Sequence, residues 1–181
     1  MQRRYLHIAL MIIAITNLVT SKSKEEWKTR TIYQIITDRF ARTNGDTSDC
    51  DLHNYCGGTF VGIQNNLDYI ANMGFDAIWI SPIVENLDGG YHGYWMKNIY
   101  NLNPKFGTED EFKNLVTACH QKGIWVMIDV VANHMGPVGT NYGQLFPFNQ
   151  PDHYHDYCTI NQDDFGNNQW RVEVNKVLTI L

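Results

Sequence analysis

Two short stretches concentrate side chains that could do chemistry. In YHGYW, residues 91–95, His92, Tyr94 and Trp95 surround a glycine. Aromatic rings offer flat faces on which the C–H faces of a sugar can stack, and a His, Asn or Asp nearby can hydrogen-bond its hydroxyls. The same composition suits packing inside a core or loop, and both readings stay open. In DVVANH, residues 129–134, Asp129, Asn133 and His134 close an otherwise apolar run, IWVMIDVV. Asn133 brings a side-chain carbonyl of the kind a hard cation such as calcium accepts, but one ligand is not a site. An Asn capping a strand end beside a locally satisfied His is the plainer account. A third cluster, DHYHDY at 152–157, has metal-binding residue types without regular ligand spacing, so a solvated loop is expected there.

The elements that would carry these residues alternate along the chain. IYQIITDRF (32–40) reads as a β-branched strand broken at Asp38 and Arg39, and FVGIQNNLDYIANMG (60–74) as a helix with Ile63, Leu67, Ile70 and Ala71 on one face. FDAIWISPIVE (75–85) is the next strand, stopped by Ser-Pro, and LDGGYHGYW (87–95) must be a loop. FGTEDEFKNLVTACHQKG (106–123) opens with Thr108 and Glu111 as a capping box, carries Phe112, Leu115, Val116 and Cys119 on one stripe, and stops at Gly123. The run from Ile124 is the third strand.

Strands and helices in alternation imply a parallel sheet covered by helices, with strands buried on both faces. Ligands in such folds gather at the carboxyl ends of the strands, where the unusual polar residues here all lie. From about Gly136 the periodicity fails, and a long excursion held by ligands and local contacts is expected. The final RVEVNKVLTIL (171–181) reads equally as a strand or the first turns of a helix.

Composition narrows the class. With 181 residues, 44% hydrophobic and 18% charged, the chain can bury a core of domain size. Its net charge of −5 and scattered Lys and Arg argue against nucleic acid as a partner. Arg3 and Arg4 precede the apolar run 8–19, too short to span a bilayer, and Thr20, Ser21 and Ser23 offer a cleavage site. Residues 1–22 therefore read as a signal peptide, against an uncleaved anchor or a buried helix. The mature chain is expected to be extracellular and off the membrane. Export permits disulfides, and Cys50 and Cys56 flanking DLHNY favour a local bridge over two unpaired thiols. Cys119 suits a buried helix position, which leaves Cys158 without an obvious partner.

Taken in order, IYQIITDRFA, the short Cys loop with GGTFVGIQNNLDYIANMGFDAIWISPI, YHGYW, IYNLNPKFGTEDEFKNLV and DVVANHMG resemble the N-terminal part of a secreted fungal-type α-amylase, in the α-amylase family of glycoside hydrolases. The resemblance covers residues from about 27 to 158. It implies the N-terminal portion of a (β/α)8 TIM barrel, about three βα units over residues 23–135. The start of an inserted domain B follows over 136–181, divergent or truncated after about residue 160. It implies retaining endo-hydrolysis of α-1,4-glucosidic bonds in starch or glycogen, a structural calcium, α-glucan as partner and, for a complete protein, a monomer. Residue by residue, Asp129 matches the aspartate of the site floor, Asn133 a calcium ligand and His134 a substrate-binding histidine. His92 matches a contact to the sugar at the cleavage point, Tyr94 the ring beneath that sugar and Trp95 a neighbouring contact. Cys50 and Cys56 match a disulfide, with His53 standing where relatives often carry Gln.

One departure bears on chemistry. A retaining glycosidase needs two carboxyl groups about 5–5.5 Å apart. The family supplies these and a supporting aspartate in motifs resembling GFRxD, GE and NHD, none of which occurs in these 181 residues. No catalytic residue is therefore assigned: Asp38 and Asp129 are the only acids placed near the site floor, and neither has the family's catalytic role. Acidic calcium ligands of domain B are not matched either, and neither Asp163 nor Glu173 is assigned in their place. The chain by itself is expected to be inactive. Rival readings are a secreted, non-catalytic glucan-binding remnant and a membrane-anchored ectodomain resembling an amylase-like transporter subunit. Three strands cannot close an eight-stranded barrel, so the first and third should leave unpaired edges and an uncovered apolar face, which favours aggregation.

Overall fold

A computed structural model describes residues 22–155 and 164–167. The expected signal peptide, apart from Lys22, lies outside the described residues, as do Cys158, Asp163, Glu173 and the 171–181 segment. A short helix α1 (Lys24–Trp27) begins at a capping box in which Ser23 Oγ accepts from Glu26 N at 3.3 Å and Glu26 Oε2 accepts from Ser23 N at 2.8 Å. No helix among the described residues is long and apolar enough to cross a membrane.

From Thr31 onward, strand β1 (Ile32–Ile35) leads into a helical turn α2 (Thr37–Phe40), then helices α3 (Phe60–Asn65) and α4 (Leu67–Asn72) and strand β2 (Ala77–Ile80). An antiparallel hairpin of β3 (Val84–Asn86) and β4 (Met96–Leu102) follows, then the long helix α5 (Glu109–Gln121) and strand β5 (Trp125–Ile128). The sheet is three-stranded and parallel, in the order β1-β2-β5, with Ile32, Ala77 and Trp125 in one row of the register and Ile35, Ile80 and Ile128 in the last. Among the described residues only β2 has a neighbour on each side, and its Ala77, Ile78 and Ile80 are fully buried. The core between sheet and helices joins Ile35, Ile78 and Ile80 to Phe60, Ile63, Leu67, Ile70, Leu115 and Cys119. Side chains of this size each stabilise the fold by roughly 1.5–3 kcal/mol on burial.

Helix α5 forms as its sequence predicts. Thr108 Oγ1 accepts from Glu111 N at 3.2 Å, Glu111 Oε2 accepts from Thr108 N at 2.7 Å, and Gly123 takes a φ of 71° just past the end. The predicted single helix over 60–74 is instead two. At Asn66 the side chain donates to the Gly62 carbonyl at 2.8 Å while its own amide turns to Ile63 O, so a polar side chain displaces the helical hydrogen bond and breaks the run. Likewise, the first strand ends at Ile35 because residues 37–40 curl into a turn, anchored by Thr37 N donating to Ser81 Oγ at 3.0 Å.

The 75–85 segment leaves the parallel sheet at Ile80, just before Ser81 and Pro82, where the strand was expected to stop. After Ser-Pro it re-enters as β3, pairing with β4 in a hairpin that the strand–helix alternation did not anticipate. In β5, burial on both faces does not hold: its side chains are half-buried or exposed, and Ile128 and the following Val130 are 37% and 77% exposed. An edge strand lacks the neighbour that would cover it. Among the described residues β1 likewise has a single neighbour, and Ile32 in it and Ile36 just past it are exposed.

The excursion after Gly136 is better packed than expected. Met96, Met135, Leu145 and Tyr154 form a second buried cluster, flanked by Val84, Ile99, Val131, Val138, Tyr142 and Phe148. Tyr154 stacks on Tyr142 at 5.0 Å and its hydroxyl donates to Phe148 O. The DHYHDY cluster is therefore not wholly solvated: Asp152 and His155 are exposed but Tyr154 anchors this core, and residues 156–157 lie outside the described residues.

Candidate functional site

The loop between β3 and β4 and the segment after β5 meet at the carboxyl end of the sheet, and Asn86 shapes the loop. Its Nδ2 donates to Val84 O at 2.9 Å and Gly93 O at 3.2 Å, and its Oδ1 accepts from Trp95 N at 2.7 Å. Gly93 takes a φ of 88° with the Pro82 carbonyl only 2.7 Å from where a Cβ would sit, so a side chain there meets both an unfavourable backbone and rigid neighbours. Tyr94 and Trp95 emerge from this turn 39% and 38% exposed.

His92 is pinned within the loop. Its Nδ1 accepts from Tyr94 N at 3.0 Å, its ring stacks on Tyr94 at 5.7 Å and 18°, and it meets Trp95 edge-on at 5.0 Å. Burial, and secondarily the charge of Arg39, lower its pKa, so the neutral ring with the proton on Nε2 is favoured. It can then donate to a sugar hydroxyl.

The second strand end joins this loop through two contacts. Tyr94 Oη donates to Asp129 Oδ2 at 2.7 Å, which together with desolvation pushes the phenol pKa to about 12. His134 Nε2 lies 3.1 Å from Tyr94 O, and since a carbonyl only accepts, Nε2 carries the proton. Nδ1 then accepts from Asn133 Nδ2 at 3.3 Å. Asp129 itself is placed by its amide donating to Ile80 O at 2.9 Å. All five residues expected to meet a sugar, His92, Tyr94, Trp95, Asp129 and His134, thus share one connected surface, with two exposed rings and polar groups beside them.

For calcium the fit is incomplete. The Asn133 amide nitrogen engages His134, which leaves Oδ1 as a donor of the right chemistry, and a calcium ion takes six to eight oxygens. Among the described residues no group of three or more His, Cys, Asp or Glu side chains could hold a metal ion. Among the described residues Asn133 thus offers one oxygen of the right type with no cluster of such side chains around it.

Asp38 does not stand at the site floor as a free acid. It is 2% exposed and accepts from Cys56 N at 2.8 Å and from Gly57 N at 3.1 Å. Arg39 Nε lies 2.8 Å from its Oδ2, a charge contact whose angle is too poor for a hydrogen bond. Its work is to hold the loop that the Cys50–Cys56 disulfide closes. Asn86 was missed by sequence reasoning, since it carries no motif of its own, whereas Arg39 was named there only as part of the break after the first strand.

Residues 34–176 match the model of the alpha amylase catalytic domain family. The alpha-amylase of Saccharomycopsis fibuligera is 47% identical over 164 residues, which is 83% of this chain and 33% of that protein. Alpha-amylase 3 of Schizosaccharomyces pombe is 45% identical over 173 residues, 88% of this chain and 31% of its own length. Among solved structures, an alpha-amylase from Malbranchea cinnamomea superposes with a TM-score of 0.78 at 42% identity, over 88% of this chain and 36% of that one. An alpha-amylase from Geobacillus thermoleovorans, solved with acarbose, gives a TM-score of 0.71 at 38% identity, over 86% of this chain and 34% of that one. The chain spans about a third of the length of the curated relatives it matches.

Proposed function

The chain belongs to the alpha-amylase catalytic-domain family, and on that premise we propose that it is the sugar-receiving part of an endo-acting hydrolase of α-1,4-glucans such as starch or glycogen. Its three parallel strands are the N-terminal portion of the family's TIM barrel, and the segment after Gly136, packed through Leu145 and Tyr154 onto Met96 and Met135, is the start of the inserted domain B. The observation that carries the reading is the junction of two strand ends at Tyr94 and Asp129. It presents exposed Tyr94 and Trp95 rings beside His92, Asp129 and His134, and such rings with adjacent polar groups are what a glucose unit requires.

These residues bind and orient; bond cleavage with retention would need two carboxyl groups about 5–5.5 Å apart. Asp38 is buried in its loop contacts and Asp129 is engaged by Tyr94, so neither serves as nucleophile or acid. The chain alone is inactive in this reading, and hydrolysis belongs to the longer arrangement its relatives have. Calcium enters as a structural ion of that arrangement, with Asn133 as one ligand. The Cys50–Cys56 bridge supports an extracellular location, since such bonds persist in oxidising compartments.

The test is titration of the 181-residue chain with maltoheptaose, alongside a reducing-sugar assay on starch. Saturable binding that Tyr94→Ala and Trp95→Ala each weaken at least about 10-fold, with no sugar released, is the expected result. No binding by a soluble, folded chain would sink the sugar site, and a starch-hydrolysis rate surviving in Asp129→Asn would sink the account of its inactivity.

A further inference from the structure

We propose that Arg39 is a positioning residue that ties the disulfide-closed loop 50–56 to the aromatic loop 91–95, and so holds His92, Tyr94 and Trp95 in the arrangement that receives the sugar. The proposal rests on the reading of that aromatic loop as a sugar site. Arg39 lies in the helical turn α2, just past the carboxyl end of β1, and from there its side chain reaches both loops at once.

On one side, Nη2 donates to Leu52 O and to Asn54 O, each at 2.9 Å, and both carbonyls lie inside the ring closed by Cys50 and Cys56. Asp38 fixes the same loop from beneath by accepting from Cys56 N and Gly57 N, and its carboxylate offsets the Arg39 charge at 2.8 Å. On the other side, the guanidinium lies 3.7 Å over the Tyr91 ring. Tyr91 packs edge-on against His92 at 5.1 Å, and His92 in turn stacks on Tyr94. The path from disulfide to sugar rings is therefore a continuous series of contacts with Arg39 at its centre.

Only arginine suits both ends. Its planar fork meets two carbonyls while its face stacks on a ring, whereas lysine brings the same charge without fork or face. The disulfide also acquires a role beyond its own loop. It restricts residues 50–56, so the carbonyls of Leu52 and Asn54 stay where Arg39 needs them.

Three variants of the full chain test this: Arg39→Lys, the pair Cys50→Ala with Cys56→Ala, and the combination. Amide hydrogen exchange reads the loop and maltoheptaose titration reads the site. Arg39→Lys is expected to speed exchange at Gly93 and Tyr94 and to weaken maltoheptaose about 10-fold while helix α5 stays protected. The cysteine pair should do the same, and the combination should add little, because both act through one path. Unchanged exchange at 91–95 in Arg39→Lys, or effects of the cysteine pair confined to residues 50–58, would overturn the proposal. Should α5 lose protection in Arg39→Lys, the cysteine pair decides. Should the unmodified chain not bind maltoheptaose, the sugar reading fails while the exchange comparison still decides whether Arg39 couples the two loops.

Discussion

The Tyr94 hydroxyl donates a 2.7 Å hydrogen bond to the Asp129 carboxylate across 35 residues of sequence. This bond joins a hairpin loop to the end of an edge strand. Neither segment would present a site alone: the loop brings rings without a carboxylate to hold the Tyr94 hydroxyl, and the strand end brings Asp129 and His134 without a platform. Sheet geometry makes the meeting possible, because β2 precedes the hairpin and pairs directly with β5.

Replacing Asp129 should be visible in the titration of Tyr94. The carboxylate accepts the phenolic proton and its charge opposes phenolate formation, which raises the pKa to about 12. Asp129→Asn keeps an acceptor but removes the charge, so the Tyr94 midpoint should fall toward 10, the ordinary tyrosine value, followed by ring resonances in NMR. The raised folded-state pKa also means that the contact stabilises the fold fully below about pH 10 and is lost as pH rises toward 12. Tyr94→Phe should flatten that alkaline decline; an alkaline profile unchanged in Tyr94→Phe would contradict it.

His92 gives a prediction of the opposite sign. Burial and then Arg39 favour its neutral form, lowering its pKa from the ordinary histidine value of 6.5. Its contribution to stability is therefore complete above pH 6.5 and fades as pH falls through the depressed folded value. Ring titration should show a midpoint below 6.5, and Arg39→Gln should move it upward. A His92 midpoint at or above 6.5 in the unmodified chain would refute the neutral assignment.

Much of this was legible because the signals were local. The capping box at Thr108 and Glu111, the apolar stripe through Leu115 and Cys119, and the stop at Gly123 each depend on neighbours in sequence, and all three formed. The pairing of Cys50 with Cys56 was legible for the same reason, whereas the order of the parallel strands came only from the resemblance to the barrel family. What escaped depends on distant partners. Asn66 breaks a good helical pattern by taking the Gly62 carbonyl, and β4 is held by pairing with β3 rather than by its own alternation. Tyr154 looked solvated within a polar cluster because its partners Tyr142 and Phe148 belong to a segment with no periodicity. At the site, residue types were readable in YHGYW and DVVANH, but the braces Asn86 and Arg39 act through contacts that no spacing encodes.

The capping box supplies a control remote from the sugar residues. Thr108→Ala removes the acceptor for Glu111 N and should lower stability by about 1 kcal/mol in urea unfolding. Because α5 packs at the sheet rather than at the loop, maltoheptaose affinity measured well below the unfolding midpoint should be unchanged. A loss of affinity in this variant would show that the site responds to overall stability, and would weaken any conclusion drawn from loop substitutions alone.

Gly93→Ala should behave in the reverse manner. A residue other than glycine at a φ of 88° costs roughly 1–2 kcal/mol, and the added Cβ would sit 2.7 Å from Pro82 O and 2.8 Å from Pro82 Cδ. Pro82 is buried directly after β2 and cannot retreat, so the strain must be relieved by the turn that carries Tyr94 and Trp95. That movement breaks the Asn86 bonds to Gly93 O and Trp95 N and pulls Tyr94 from Asp129. The expected outcome is a loss of glucan affinity of at least about 10-fold, with a Tyr94 midpoint falling from about 12 toward its ordinary value. If affinity and the Tyr94 titration both stay as in the unmodified chain, the turn does not set the position of the rings.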